Sequence, residues 1–124
     1  MVSVGDTCWI TDKSGESHLY FVITEPDEDS KILLVNMTDV NNISDKSCVL
    51  TPSDHQTITK KSVIRYGDPI YTKPAILEQA IRNTRELQLG PSMEDRLVKS
   101  IQEGALQSEH FPPQYEHKVK NSLI

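Results

Sequence analysis

His18-Leu19-Tyr20-Phe21-Val22-Ile23-Thr24 and Lys31-Ile32-Leu33-Leu34-Val35-Asn36-Met37-Thr38-Asp39 decide how this chain folds. Aromatic and β-branched residues dominate the first stretch, which is the composition of a strand. Its apolar run is nearly continuous, so it predicts a central strand covered on both faces. Between the two stretches lies Glu25-Pro26-Asp27-Glu28-Asp29-Ser30, where a proline and four acids make a solvated turn. A short acidic link between two apolar strands predicts an antiparallel hairpin.

Outward from this hairpin, residues 7–11 read as an earlier strand, and 12–17 as a polar loop with Gly15. Residues 47–50 and 62–66 read as two further strands, the last with room to run past Gly67-Asp68-Pro69 to Tyr71. Five short strands on short connections predict a small antiparallel barrel, because closure removes exposed edges. After Lys73 the period changes. Pro74 suits a first helical position, and Ile76, Leu77, Ala80 and Ile81 share a face. Gly90-Pro91 is the expected stop of that helix. Ser92 is the expected N-cap of a second helix from Met93, with Gly104 as its C-terminal signal or an interior glycine. Residues 114–123 read as a last short helix or a frayed tail. Strands followed by helices mark an α+β chain. The expected organisation is a β-barrel domain over 1–73 and a helical extension packed on it over 74–124.

The chain has 124 residues, 36% hydrophobic and 25% charged, which fits one globular core rather than disorder. No apolar run approaches the roughly 18 residues of a membrane span, and the first residues lack a signal-peptide pattern. The expected location is the cytoplasm, with no membrane partner. Cys8 and Cys48 sit in apolar settings and form no CxxC pair, so both are expected as buried free thiols. The net charge of −5 argues against a general nucleic-acid coat, whose affinity comes from phosphate neutralisation.

Against that background, the stretch from His55 to Lys73 carries Lys60, Lys61, Arg65 and Lys73 against one acid, Asp68. A local positive patch on an acidic chain attracts a phosphate to a site rather than to a whole surface. Thr57, Thr59, Ser62 and Tyr66 supply hydroxyls there, and His55 supplies an imidazole able to move protons near neutral pH. His18 opens one hairpin strand and Thr38 ends the other, so an antiparallel pairing brings them to the same end of the sheet. Phosphate-binding glycine loops, HExxH, GxSxG and clustered metal carboxylates are absent from the sequence.

Gly5-Asp6 before Trp9-Ile10, the strand ending Val22-Ile23-Thr24, and Leu33-Leu34-Val35-Asn36-Met37-Thr38 together resemble the MazF/PemK-like toxin superfamily. His18 to Ile23, Val35 to Thr38, and Asp54-His55 with Ser62 and Tyr66 are similar to a divergent group of uncharacterised bacterial and phage proteins related to it. The resemblance spans roughly residues 4–71. It implies an SH3-like barrel and a metal-independent endoribonuclease without cofactor, which leaves 2′,3′-cyclic phosphate ends on single-stranded RNA. It also implies the role of toxin, with a cognate protein antitoxin as partner, and it allows a homodimer. Thr38 falls where the superfamily places a catalytic threonine. His18-Leu19 stands where an Arg-Pro pair is expected, and histidine is a poorer fixed cation than arginine. On this reading His18 or His55 is the general base and the other the acid. Thr38 and Ser62 hold the phosphate, Arg65 stabilises charge, and Lys60, Lys61 and Tyr66 bind substrate. The alternative is a non-catalytic SH3-like module that binds a protein or an anion through the same face.

Overall fold

A computed structural model of the chain describes residues 2–124. The hairpin forms as its sequence dictates. Strand β2 (Ser17–Val22) pairs antiparallel with β3 (Ile32–Asp39), with Tyr20 opposite Asn36 and Val22 opposite Leu34. Strand β1 (Thr7–Thr11) joins the other edge of β2. Strand β5 (Ser62–Thr72) lies along β3, and the two-residue β4 (Val49–Leu50) lies along β5. The β3–β5 register shifts between Leu34 and Asn36, so Tyr66-Gly67-Asp68-Pro69 bulges out and β5 resumes through Tyr71.

The part after Lys73 differs from expectation. Helix α1 (Pro74–Asn83) ends earlier than Gly90, where the Thr84 amide and hydroxyl both donate to the Ala80 carbonyl. The chain then returns to the sheet as β6 (Leu87–Gly90), antiparallel to β1. Helix α2 (Asp95–Gln107) starts at Asp95 with Glu94 at the N-cap position, not at Ser92. The Met93 amide donates to the Gly5 carbonyl at 2.7 Å and keeps the preceding residues extended. A 3-10 turn (Pro113–Tyr115) and α3 (Glu116–Lys120) complete the chain.

The result is α+β, with one six-stranded antiparallel sheet in the order β4-β5-β3-β2-β1-β6 and three short helices. The expected closed barrel does not form: the sheet is open. The outer edge of β1, which closure would have used, is taken by β6, and β4 is too short to reach across. Period-2 alternation splits the apolar side chains between two faces. Leu19, Phe21, Leu33, Val35 and Ile64 pack with Leu97, Val98, Ile101 and Ala105 of α2. Val22, Ile32 and Leu34 pack with Leu77 of α1 on the other face.

Close approach fixes one residue of α2. A Cβ on Gly104 would lie 2.3 Å from the Tyr66 hydroxyl and 2.9 Å from Cys48 Cβ, so glycine here is a spatial requirement and not a helix stop. Gln102, fully buried, donates from Nε2 to the carbonyls of Ile23 and Ser122 at 2.9 and 2.8 Å and accepts from the Ile124 amide. A buried polar side chain with such partners fixes the C-terminal segment to the sheet. Both cysteines are buried and free, and burial pushes the Cys48 thiol up to about 11.

Candidate functional site

The β2–β3 ladder stops at Tyr20–Asn36, and the two strands splay beyond it. Continued register would set His18 opposite Thr38, so the two residues face each other across the opening. A cleft of about 240 Å³ occupies this end of the sheet, and His18, Thr38, Ser62 and Lys60 all line it. Trp9 comes from β1, and Thr57 and Thr59 come from the loop before β5. His18 and Thr38 thus share the cleft with Thr57, Thr59, Lys60 and Ser62 of the loop that carries His55, but not with His55 itself.

Each side chain in the cleft has a defined setting. His18 Nε2 lies 3.1 Å from Asp12 Oδ2. The Asp12 carboxyl is held down at about 2, first by the Ser14 hydroxyl and then by His18, so it is an acceptor at neutral pH. Nε2–H therefore donates to Asp12 and leaves Nδ1 as the free lone pair. Thr38 Oγ1 accepts from Asn42 Nδ2 at 2.8 Å and keeps its own proton to donate. Lys60 Nζ lies 2.9 Å from Asp39 Oδ2 and is largely solvated. The Asn41 backbone and then Lys60 hold the Asp39 carboxyl below its usual range. Ser62 is buried and donates to the Lys60 carbonyl at 2.9 Å, which shapes the cleft floor.

Other expected site residues lie elsewhere. His55 does not line the cleft. Its Nε2 faces the carbonyls of Pro91 and Ser92 at 3.2 and 3.1 Å, and so carries the proton. Its Nδ1 accepts from the Thr57 hydroxyl at 2.7 Å. His55 therefore ties the loop that carries Thr57, Thr59 and Lys60 to the chain before α2. Lys61 is exposed on the same loop. Arg65 and Tyr66 line a different cavity. Tyr66 is buried, donates to the Ile101 carbonyl at 2.8 Å, and has its phenol pushed well above the ordinary value by burial.

Sequence reasoning passed over Trp9, Asn42 and Asp12 as site residues. Trp9 stands opposite Leu19 in the β1–β2 register and packs against the larger core, and it also lines the cleft. Asp12, Glu16 and His18 also bring three metal-type ligand atoms within 4.8 Å of one another. Asp12 Oδ1 there already accepts from Ser14 and Glu16, and the two acids are exposed. Among the described residues no helix is long and apolar enough to cross a membrane.

No protein-family model, curated protein or solved structure matches this chain. What the arrangement can do is set by its chemistry. It offers an imidazole oriented by a carboxylate, a threonine hydroxyl and an ammonium near one point, and an indole beside them.

Proposed function

We propose that this chain is a MazF-like, metal-independent endoribonuclease acting as the toxin of a toxin–antitoxin pair, with a protein antitoxin covering the cleft. The observation that carries this reading is the cleft at the splayed β2–β3 end, where His18, Thr38 and Lys60 meet beside Trp9. On this reading β1 to β5 are an SH3-like sheet that β6 and α2 have kept open.

His18 Nδ1 takes the proton of the RNA 2′-hydroxyl, and the 2′-oxygen attacks the adjacent phosphorus. The bond to the 5′-oxygen breaks, and that oxygen takes a proton from water. The products are a 2′,3′-cyclic phosphate and a 5′-hydroxyl, and His18 returns its proton to solvent. Thr38 and Lys60 stabilise the phosphoryl charge. Trp9 gives a base a face to stack on. His55 is a positioning residue that holds the Thr57–Lys60 loop. Asp12 orients His18 through its contact with Nε2.

Incubation of purified protein with labelled single-stranded RNA in EDTA tests this, with His18→Ala and Thr38→Ala alongside. Cyclic-phosphate products from the wild type, lost in His18→Ala at unchanged thermal stability, are expected. Intact RNA from a folded, inhibitor-free protein would move the reading to a non-catalytic binding module. One feature favours that second reading: the cleft's ammonium is already paired with Asp39.

A further inference from the structure

Beside the cleft lies a second hollow, of about 340 Å³, over the β1–β6 end of the sheet. That volume is at the lower end for ligand sites. Trp9, Thr11, Ser17, Arg85, Glu86 and Gln88 line it. Trp9 and Ser17 also line the cleft, so the two spaces adjoin at the indole.

The strand register fixes which side chains meet there. Trp9 stands opposite Leu19 on β2 and opposite Gln88 on β6. Directly opposite residues of paired strands share a face, so Gln88, Trp9 and Leu19 form one row across three strands. Two residues along β1, Thr11 stands opposite Ser17, and its amide donates to the Glu86 carbonyl at 2.8 Å. Glu86, Thr11 and Ser17 therefore form the next row on the same face. It is the face of Leu19 and the larger core, left open beyond α2.

The chemistry of the two rows is mixed. Trp9 is half-buried against the larger core. The Thr11 and Ser17 hydroxyls bond to each other at 2.7 Å. The side chains of Arg85, Glu86 and Gln88 are exposed and form no hydrogen bond or ion pair among the described residues. Arg85, from the turn after α1, is the only cation of the hollow. An aromatic ring beside a cation is the means by which single strands are held: the ring stacks a base and the cation takes a phosphate. The Glu86 carboxylate repels a phosphate and accepts from the N–H groups of a base edge, and the Gln88 amide both donates and accepts. The base thus belongs inside and the phosphate at Arg85.

We propose that this hollow is a second nucleotide subsite. It takes the nucleotide next to the scissile phosphate of single-stranded RNA, with the base against Trp9, Glu86 and Gln88 and its phosphate on Arg85. The choice of RNA rests on the ribonuclease reading; the shared face of Trp9, Glu86 and Gln88 does not.

Trp9 is the only tryptophan of the chain, so its emission reports on the hollow. The probe is a mixed-sequence RNA hexamer, 2′-O-methylated so that it binds uncut, titrated into the full chain over a range of salt. It is expected to quench Trp9, and a duplex of the same sequence to bind far more weakly, because its bases are already stacked. Since Trp9 also lines the cleft, Arg85 carries the distinction. Arg85→Ala should weaken binding several-fold and reduce the slope of log K against log salt by about 0.7, the loss of one phosphate contact on a single strand. Arg85→Lys should keep that slope. Arg82→Ala, on α1 and outside the hollow, should leave it unchanged. An unquenched Trp9, equal binding of the duplex, or a slope indifferent to Arg85→Ala overturns the proposal, as does an equal loss in Arg82→Ala. Cleavage of the unmodified hexamer is read separately, and Arg85→Ala should raise its KM at unchanged kcat. Binding through Arg85 without any cleavage removes the ribonuclease reading and keeps the subsite. Cleavage with a KM and an affinity untouched by Arg85→Ala removes the subsite and leaves the ribonuclease.

Discussion

Asp12 and His18 are six residues apart in the chain and close the β1–β2 hairpin with a 3.1 Å contact. Without the carboxylate, the imidazole loses both its orientation and its preferred tautomer. Asp12→Asn is expected to lower RNA cleavage about tenfold at pH 7, since positioned acid–base groups contribute on the order of 10²–10⁴. Asp12→Glu should recover part of that loss, a rescue that a purely structural residue would not show. Gly104 makes a second residue-scale case. Gly104→Ala forces a methyl into the Tyr66 hydroxyl and should cost about 1–3 kcal/mol in urea unfolding, despite alanine's better helix propensity. At this scale His18 and Thr38 were legible, because a hairpin's register is local information. His55 was not legible. Its partners Pro91 and Ser92 lie 36 and 37 residues away, and nothing near His55 announces them. Gly104 was legible as a glycine but not as a contact, since the constraint comes from β5.

The β2–β3 turn and the C-terminal helix are joined by one buried contact between elements. Asp27 accepts from Lys118 and from the Tyr71 hydroxyl, and Lys118 lies over the Tyr71 ring. Burial raises the Asp27 carboxyl, but the Lys118 and Tyr71 hydrogen bonds outweigh it and hold the group well below its ordinary value. The Asp27 bond holds the Lys118 ammonium above its ordinary value. A depressed carboxyl stabilises the fold above the unfolded value near pH 4, and this contribution is lost as the pH falls toward the folded value. A raised ammonium stabilises below about pH 10 and loses that contribution as the pH climbs further. Lys118→Met should therefore lower Tm across the neutral range and flatten its acid dependence, as read by thermal melts from pH 2 to 8. Gln102→Leu strips the donor from two buried carbonyls and should cost about 1–3 kcal/mol. Element type was readable where the period was long, as in the hairpin and in α1 from Pro74. Strand β6 was not: Leu87-Gln88-Leu89-Gly90 is too short to declare itself, and it becomes a strand because β1 offers it an unpaired edge.

The apolar material of the larger core comes from both halves of the chain. Seven of its seventeen buried residues, from Met93 to Val119, lie beyond Lys73, and β6 from the same half completes the sheet beside β1. The change of period at Pro74 was plain in the sequence, and it marks a change of element rather than the end of a core. What the sequence could not show is that residues 93–119 fill the face of an open sheet, because that depends on which strand takes the edge of β1. The consequence is measurable. Seven buried apolar side chains at about 1.5 kcal/mol each amount to roughly 10 kcal/mol, as large as the whole stability of an ordinary domain. Residues 1–73 alone should therefore show poor amide dispersion and no cooperative urea transition. Supplying residues 74–124 in trans should restore both, since the missing strand and helix then return to the same edge and face. A dispersed, cooperatively unfolding 1–73 fragment would mean that the five remaining strands re-close without β6, and that the barrel expected from their sequence is available to the chain once that edge is free.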